Sequence, residues 1–381
     1  MAPITVALIG LSQSAKTSWA SEGHLPYLLS DRGRQRYQIK ALLNSSVEAG
    51  KKAIESYNLG PDTKAYGAPQ DLAADPDIDL VVNATRVDVH YDTIKPSIEA
   101  GKAVFIEYPV AENTQRSREL ADLAKQKDVP NIVGLQARVA PAVLKVKEIL
   151  ASGEIGKVLS SSVQAYSPFS GRDSISEGLA YFLDKKVGGN PVIIAFGHMI
   201  DFVHFVLGEY SSSHAHTQIQ HPKQTVINKE TGEKRPFTSD VPDLVSLHGT
   251  LETSPYVEEG ASLIVNFRNG PPFPVTLPFV WTINGEKGEI RISSERGPFL
   301  QSEASAYDIP IQVEDFSTGQ VRDIEWHWED WQEALLPRSR NIARLYDLYA
   351  AGRWKAESRC TLESAVVRHK QLDAILYPKE S

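Results

Sequence analysis

Short apolar runs alternate with amphipathic stretches through the first third of the chain. Thr5-Val-Ala-Leu-Ile9 reads as a strand ending at Gly10, and Tyr37–Leu43, Ile78–Val82, Ala103–Ile106 and Asn131–Gly134 read as four more. Between them, apolar residues recur at helical spacing near Val47–Tyr57, His90–Ala100 and Asn113–Lys127. Strands separated by helices predict a parallel sheet with crossover helices, a layout that gathers chemistry at the carboxyl ends of its strands. The pattern changes near residue 135. A helix over Ala140–Ser152 is followed by strand-like segments at Val158–Tyr166, Ser213–Gln220, Asp243–Glu252, Ala261–Phe267, Phe279–Ile283 and Glu289–Ser293. Strands in succession predict a largely antiparallel sheet, with Asn284–Gly288 as a hairpin turn. A helix over Pro191–Leu207 interrupts this half, Pro222–Asp243 reads as an exposed polar loop, and Arg338–Tyr349 and Thr361–Tyr377 end the chain as helices. The expected division is a domain over residues 1–134 and a second over 135–381 that keeps the final helices.

Composition narrows the function classes. With 381 residues, 41% of them hydrophobic and 23% charged, the chain can build two cored domains. A net charge of −8 without a basic block argues against nucleic acid as a partner. No apolar stretch reaches the roughly 18 residues of a membrane helix. The single Cys360 cannot form an internal disulfide, which suits a reducing compartment. The expected location is the cytoplasm, or cytoplasm and nucleus.

Candidate chemistry begins at the first glycine turn, Gly10-Leu11-Ser12-Gln13-Ser14-Ala15. A dinucleotide fingerprint places glycines at the first, third and sixth positions. Only Gly10 is present, with Ser12 and Ala15 as small substitutes. The second strand ends in Asn44-Ser45-Ser46. A carboxylate here would select NAD through the ribose 2′-hydroxyl, so its absence favours NADP over NAD. Glu107-Tyr108-Pro109 follows the fourth strand, where reactive groups collect. His198 and Asp201 share a helix face. His214, His216 and His327 show no ligand spacing, and no metal is expected.

These features run in order along nearly the whole chain and resemble one family, that of glucose–fructose oxidoreductase and inositol dehydrogenase (Gfo/Idh/MocA). The resemblance rests on Val6–Gly10, Asn83–His90, Glu107-Tyr-Pro109, Gly153–Lys157, Gly188-Gly189 with His198–Asp201, and Ile283–Gly288. Lys16–Ala20, His24-Leu-Pro26, Gly134–Arg138 and Ala195–His198 are similar to the fungal branch that contains the yeast galactose-regulon repressor. The resemblance implies an α/β plus α+β fold: a Rossmann dinucleotide-binding domain, then a domain with an open-faced, largely antiparallel sheet. It further implies cofactor contacts from Gly10, Leu11, Ser12, Gln13, Ser14, Asn44, Ser45, Ser46, Ala84, Thr85, Arg86, His90, Glu107, Tyr108, Gln136 and Arg138. Substrate contacts are implied for Lys185, His198 and Asp201, with a homo-oligomer, such as a dimer, as the assembly. Family enzymes commonly use a lysine after the glutamate, an aspartate four residues before the histidine, and that histidine. Here these positions hold Tyr108, Ile194 and His198. The first reading is an NADP-dependent oxidoreductase moving hydride between nicotinamide and the carbonyl or hydroxyl of a small molecule, with Tyr108 and His198 catalytic. Tyrosine suits the exchange, since its pKa of about 10 lies near the lysine value of about 10.4. The alternative is a non-catalytic, NADP-binding transcriptional regulator with a protein partner.

Overall fold

In the computed structural model, which describes residues 2–14, 19–167, 171–302 and 307–378, the chain divides into two compact units. The first comprises residues 1–136, 186–189 and 329–371, and the second residues 137–185, 190–328 and 372–381.

The first unit is built on six strands, β1 (Ile4–Ile9), β2 (Tyr37–Leu43), β3 (Lys64–Tyr66), β4 (Leu80–Asn83), β5 (Ala103–Ile106) and β6 (Asn131–Val133). They pair in the order β3-β2-β1-β4-β5-β6, every pair parallel. Every residue of β4 and β5 is buried, as expected for strands covered on both faces. The direction of winding reverses between β1 and β4, which marks the crevice where such sheets take ligands. The three-residue β3 and the helix Pro69–Ala73 were not expected from the sequence. Tyr66 and Lys64 both hydrogen-bond Asp75, which fixes this edge.

The helices Pro337–Ala350 and Leu362–Leu376, expected with the second half, lie with the first unit up to Gln371. The reason is a set of specific bonds. Tyr37 donates to the Tyr346 carbonyl (2.6 Å), Val133 N–H to the Cys360 carbonyl (3.0 Å), and Trp354 to the Asn131 carbonyl (3.1 Å). Arg32 grips the Asp347 carboxylate through Nε and a terminal nitrogen at 2.7 and 3.1 Å. Burial pushes the Asp347 carboxyl up, yet the Arg32 hydrogen bonds and the charges of Arg32, Arg36 and Arg344 outweigh it and hold it below the usual range. Tyr27, Tyr37, Phe105 and Tyr346 pack in one buried aromatic cluster, Tyr27 stacked on Tyr346 and the others edge-on or tilted against them.

The second unit carries an eight-stranded sheet. In spatial order its strands are Gln320–Asp323, Ile311–Asp315, Gly288–Ser294, Phe279–Gly285, Val158–Ser167, Val257–Asn269, Leu244–Leu251 and Tyr210–Gln218. All pairs are antiparallel except Val257–Asn269 with Val158–Ser167. Alternation of buried and part-exposed residues in Phe279–Gly285 shows one face packed and one open. Residues 222–243 are not a plain loop: Lys223–Ile227 and Lys234–Thr238 form a hairpin that pairs with Ser174–Ser176. Val226, Ile175 and Leu183 give it a small core of its own. Among the described residues no helix is long and apolar enough to cross a membrane, and no trio of His, Cys, Asp or Glu is arranged for a metal.

Candidate functional site

The first unit assembles its candidates at the carboxyl ends of β1, β2, β4 and β5. Gly10 ends β1 with φ +93°, and a Cβ there would stand 2.5 Å from Thr85 Cγ2. Only glycine satisfies both the left-handed backbone and the close approach. Thr85 is itself fixed by fully buried Asn83, whose Oδ1 accepts from the Thr85 hydroxyl at 2.7 Å and amide at 3.3 Å. Asn83 Nδ2 donates to Thr93 and to the His90 carbonyl. The glycine turn and the loop after β4 therefore meet at the point where the strand order reverses. Leu11 is buried outright and offers only its carbonyl, which accepts from Asn44 Nδ2 at 2.9 Å. Ser12 and Ser14 join hydroxyls at 2.9 Å, while Gln13 and Ser14 are exposed. Ala15 and Lys16-Thr-Ser18 lie outside the described residues.

At the end of β2, Ser46 caps the helix Val47–Ser56 by accepting from Ala49 N–H at 3.1 Å. Ser45 is exposed. With Asn44 Nδ2 spent on Leu11, Asn44 Oδ1 is buried without a hydrogen-bond partner among the described residues. After β4, Ala84 is buried and Arg86 is clamped to Asp88 by two 2.6 Å bonds.

Three buried histidines surround the segment after β5. His24 Nε2 donates to Glu107 Oε1 at 2.9 Å, while its Nδ1 lies 2.8 Å from the Tyr346 hydroxyl. Burial holds the Tyr346 phenol well above its ordinary pKa, so it stays a neutral hydrogen-bonding partner. Glu107, 6% exposed, is thus an internal anchor, and its carboxylate packs on Gly134, where a Cβ would stand 2.5 Å from Oε2. His90 joins the Pro109 carbonyl through Nδ1 and the Thr85 carbonyl through Nε2, each at 2.9 Å. Burial pushes His90 below the usual histidine range despite the two carbonyls. His369 Nε2 accepts from Val110 N–H at 3.3 Å, and its ring lies 5.4 Å from that of Tyr108. Desolvation lowers His369 to about 4. Tyr108 itself is 5% exposed, and the Tyr108–Pro109 peptide is cis.

Gln136 is fully buried, and among the described residues neither its Oε1 nor its Nε2 has a partner. A buried amide left so is costly unless something supplies both a donor and an acceptor. A nicotinamide carboxamide offers that pair. Together with the Gly10 turn and the Asn44 acceptor, Gln136 gives the first unit a set of polar groups that fits a dinucleotide.

In the second unit, Arg138 and Asp201 find each other: two hydrogen bonds of 2.8 and 2.7 Å join them, both buried. Arg138 also lies over the Phe205 ring. Asp201 therefore serves first as the partner of Arg138. His198, one turn earlier on the helix Gly197–Leu207, is buried, and Ile194 precedes it on the turn Val192–Phe196. Lys185 gives its backbone N–H to Asp240, and its ammonium lies 5.1 Å from the Tyr377 ring. Tyr108 belongs to the first unit and His198 to the second. Sequence reasoning missed His369 and Tyr346, and read His24 only as part of a motif. Their signals are ordinary helix positions in the chain's last segment, with nothing local to flag them.

Residues 4–135 match the oxidoreductase family with an NAD-binding Rossmann fold, and residues 141–294 match the C-terminal domain of Gal80p. A dehydrogenase of Aspergillus oryzae, aclE, is 33% identical over 348 residues, spanning 91% of this chain and 88% of that one. The galactose/lactose metabolism regulatory protein GAL80 of Saccharomyces cerevisiae is 27% identical, over 88% of this chain and 77% of its own. A super-repressor mutant of Gal80p from the same yeast superposes with a TM-score of 0.83 at 22% identity, covering 98% of this chain and 95% of its own, a likeness of fold. The chain belongs to the Gfo/Idh/MocA oxidoreductase family, in the branch whose Rossmann domain is joined to a Gal80p-like C-terminal domain.

Proposed function

We propose that this protein is an NAD(P)-dependent oxidoreductase that reduces a small carbonyl compound, or runs the reverse oxidation, with Tyr108 as the proton donor. The observation that carries the reading is the position of Tyr108 two residues past the end of β5, the strand paired with β4, whose following loop closes on Gly10. When bound, the reduced nicotinamide supplies the hydride. The residues of the chain do the rest. Gly10 and Thr85 shape the turn that receives the pyrophosphate, and Gln136 orients the carboxamide. As the carbonyl carbon gains hydride and its C=O π bond breaks, the Tyr108 O–H proton passes to the carbonyl oxygen, and solvent reprotonates the tyrosinate. NADP is the proposed cofactor because no carboxylate ends β2. With the Asn44 amide nitrogen engaged, Ser45 and Ser46 hydroxyls are the donors to a 2′-phosphate.

The regulator reading is favoured by one feature, Ile194, an apolar group four residues before His198 that has no polar atom to orient the imidazole. Under that reading the cofactor is a ligand only, and the partner is a protein. One experiment separates the two. Wild type and Tyr108→Phe are titrated with NADP and NAD, then assayed for cofactor oxidation against a panel of carbonyls. The enzyme reading expects turnover that falls by roughly 10²–10⁴-fold in the variant with cofactor affinity unchanged. Binding without turnover in the wild type supports the regulator, and tighter NAD than NADP binding refutes the cofactor choice.

A further inference from the structure

Each residue after β5 that must hold Tyr108 in place is met by a histidine from a different part of the first unit. His24 takes Glu107, His90 takes the Pro109 carbonyl, and His369 takes the Val110 amide, and all three are buried. His24 and His90 come from elements next to the sheet ends, whereas His369 comes from the helix Leu362–Leu376 near the end of the chain. It touches the segment twice, through Val110 N–H and through the Tyr108 ring. Because Val110 N–H donates to His369 Nε2, the imidazole is neutral with its proton on Nδ1.

We infer that His369 is a positioning residue for Tyr108: its ring packs against the phenol and its Nε2 holds the Val110 amide, so the terminal helix sets the aim of the reactive hydroxyl. The inference rests on the proposed role of Tyr108. His369→Leu removes the acceptor while keeping an apolar side chain of similar reach, and His369→Gln returns an amide oxygen near the Nε2 position. The Leu variant is expected to lose about 10–100-fold in kcat, the size of effect small misplacements produce. Its NADP affinity, measured by calorimetry, should stay within about twofold of wild type. The Gln variant should recover most of the lost turnover. Amide hydrogen exchange at Val110 is the readout that does not depend on activity: protection should fall in the Leu variant and persist in the Gln variant. Should the Leu variant not fold, His369→Asn, whose amide stops one bond short, takes its place with the same expected loss. Undiminished kcat, or Val110 protection unchanged in the Leu or Asn variant, overturns the inference. If wild type turns over no carbonyl, the enzyme reading alone fails, and the Val110 exchange still decides whether His369 holds the segment.

Discussion

Acid should weaken the first unit through His369, by an amount the structure sets. The ring is fully buried and desolvation alone lowers it to about 4, against about 6.5 in an unfolded chain. Above pH 6.5 both states carry the neutral ring, and the histidine adds no pH dependence. Between 6.5 and 4 the unfolded chain binds a proton that the folded chain refuses, so stability falls as pH falls. Below 4 both states are protonated and the slope disappears. A difference of about 2.5 pKa units at 1.36 kcal/mol each comes to about 3 kcal/mol, a large part of the roughly 5–15 kcal/mol that holds a domain. Burial lowers His90 as well, so the test is a difference between proteins. Urea unfolding of wild type and His369→Gln is followed at pH 7, 6, 5 and 4. Glutamine does not titrate, and the stability gap between the two should change by about 3 kcal/mol in favour of the variant from pH 7 to pH 4. Parallel curves would show that His369 is not the buried, uncharged group the geometry requires.

Gly134→Ala should destabilise the protein by about 1–3 kcal/mol, because the added Cβ would stand 2.5 Å from a Glu107 carboxylate already held by His24. Thermal melts check this, and an unchanged Tm would mean that Glu107 moves freely. A chain ending at Trp328 should aggregate or fail to unfold cooperatively, since it loses the bonds of Asp347 to Arg32 and of Tyr346 and Cys360 to the sheet. A soluble fragment with a sharp transition refutes that dependence.

The parallel sheet was legible wherever a strand is buried on both faces, because β4 and β5 are then continuous apolar runs. It was not legible at β3, three residues long with Lys64 exposed and pinned by Asp75 through side chains alone. The final helices announced an apolar face without naming its partner: periodicity says that Leu345 and Leu348 are buried, not against what. The site shows the same division. Gly10 and Tyr108 stood out because a strand end gives them meaning from neighbouring residues. Asp201 read as a group facing a substrate because Arg138, far off in sequence, gave no hint that the two would pair. Asn44 looked like a cofactor selector, while the Leu11 carbonyl that takes its amide is invisible to any local pattern.

The division of the first unit into separated stretches has a consequence for how the protein is made. When residue 136 leaves the ribosome, all six strands exist, yet the bonds that Tyr37, Asn131 and Val133 make to the last segment cannot form. The whole of residues 137–328 must be synthesised before those partners emerge, and residue 371 completes the set. At about 5–20 residues per second the nascent sheet waits for roughly 10–50 s with Tyr27, Tyr37 and Phe105 lacking their cover. Over that interval residues 137–328, the bulk of the second unit, are free to fold while the earlier-encoded sheet still lacks its cover.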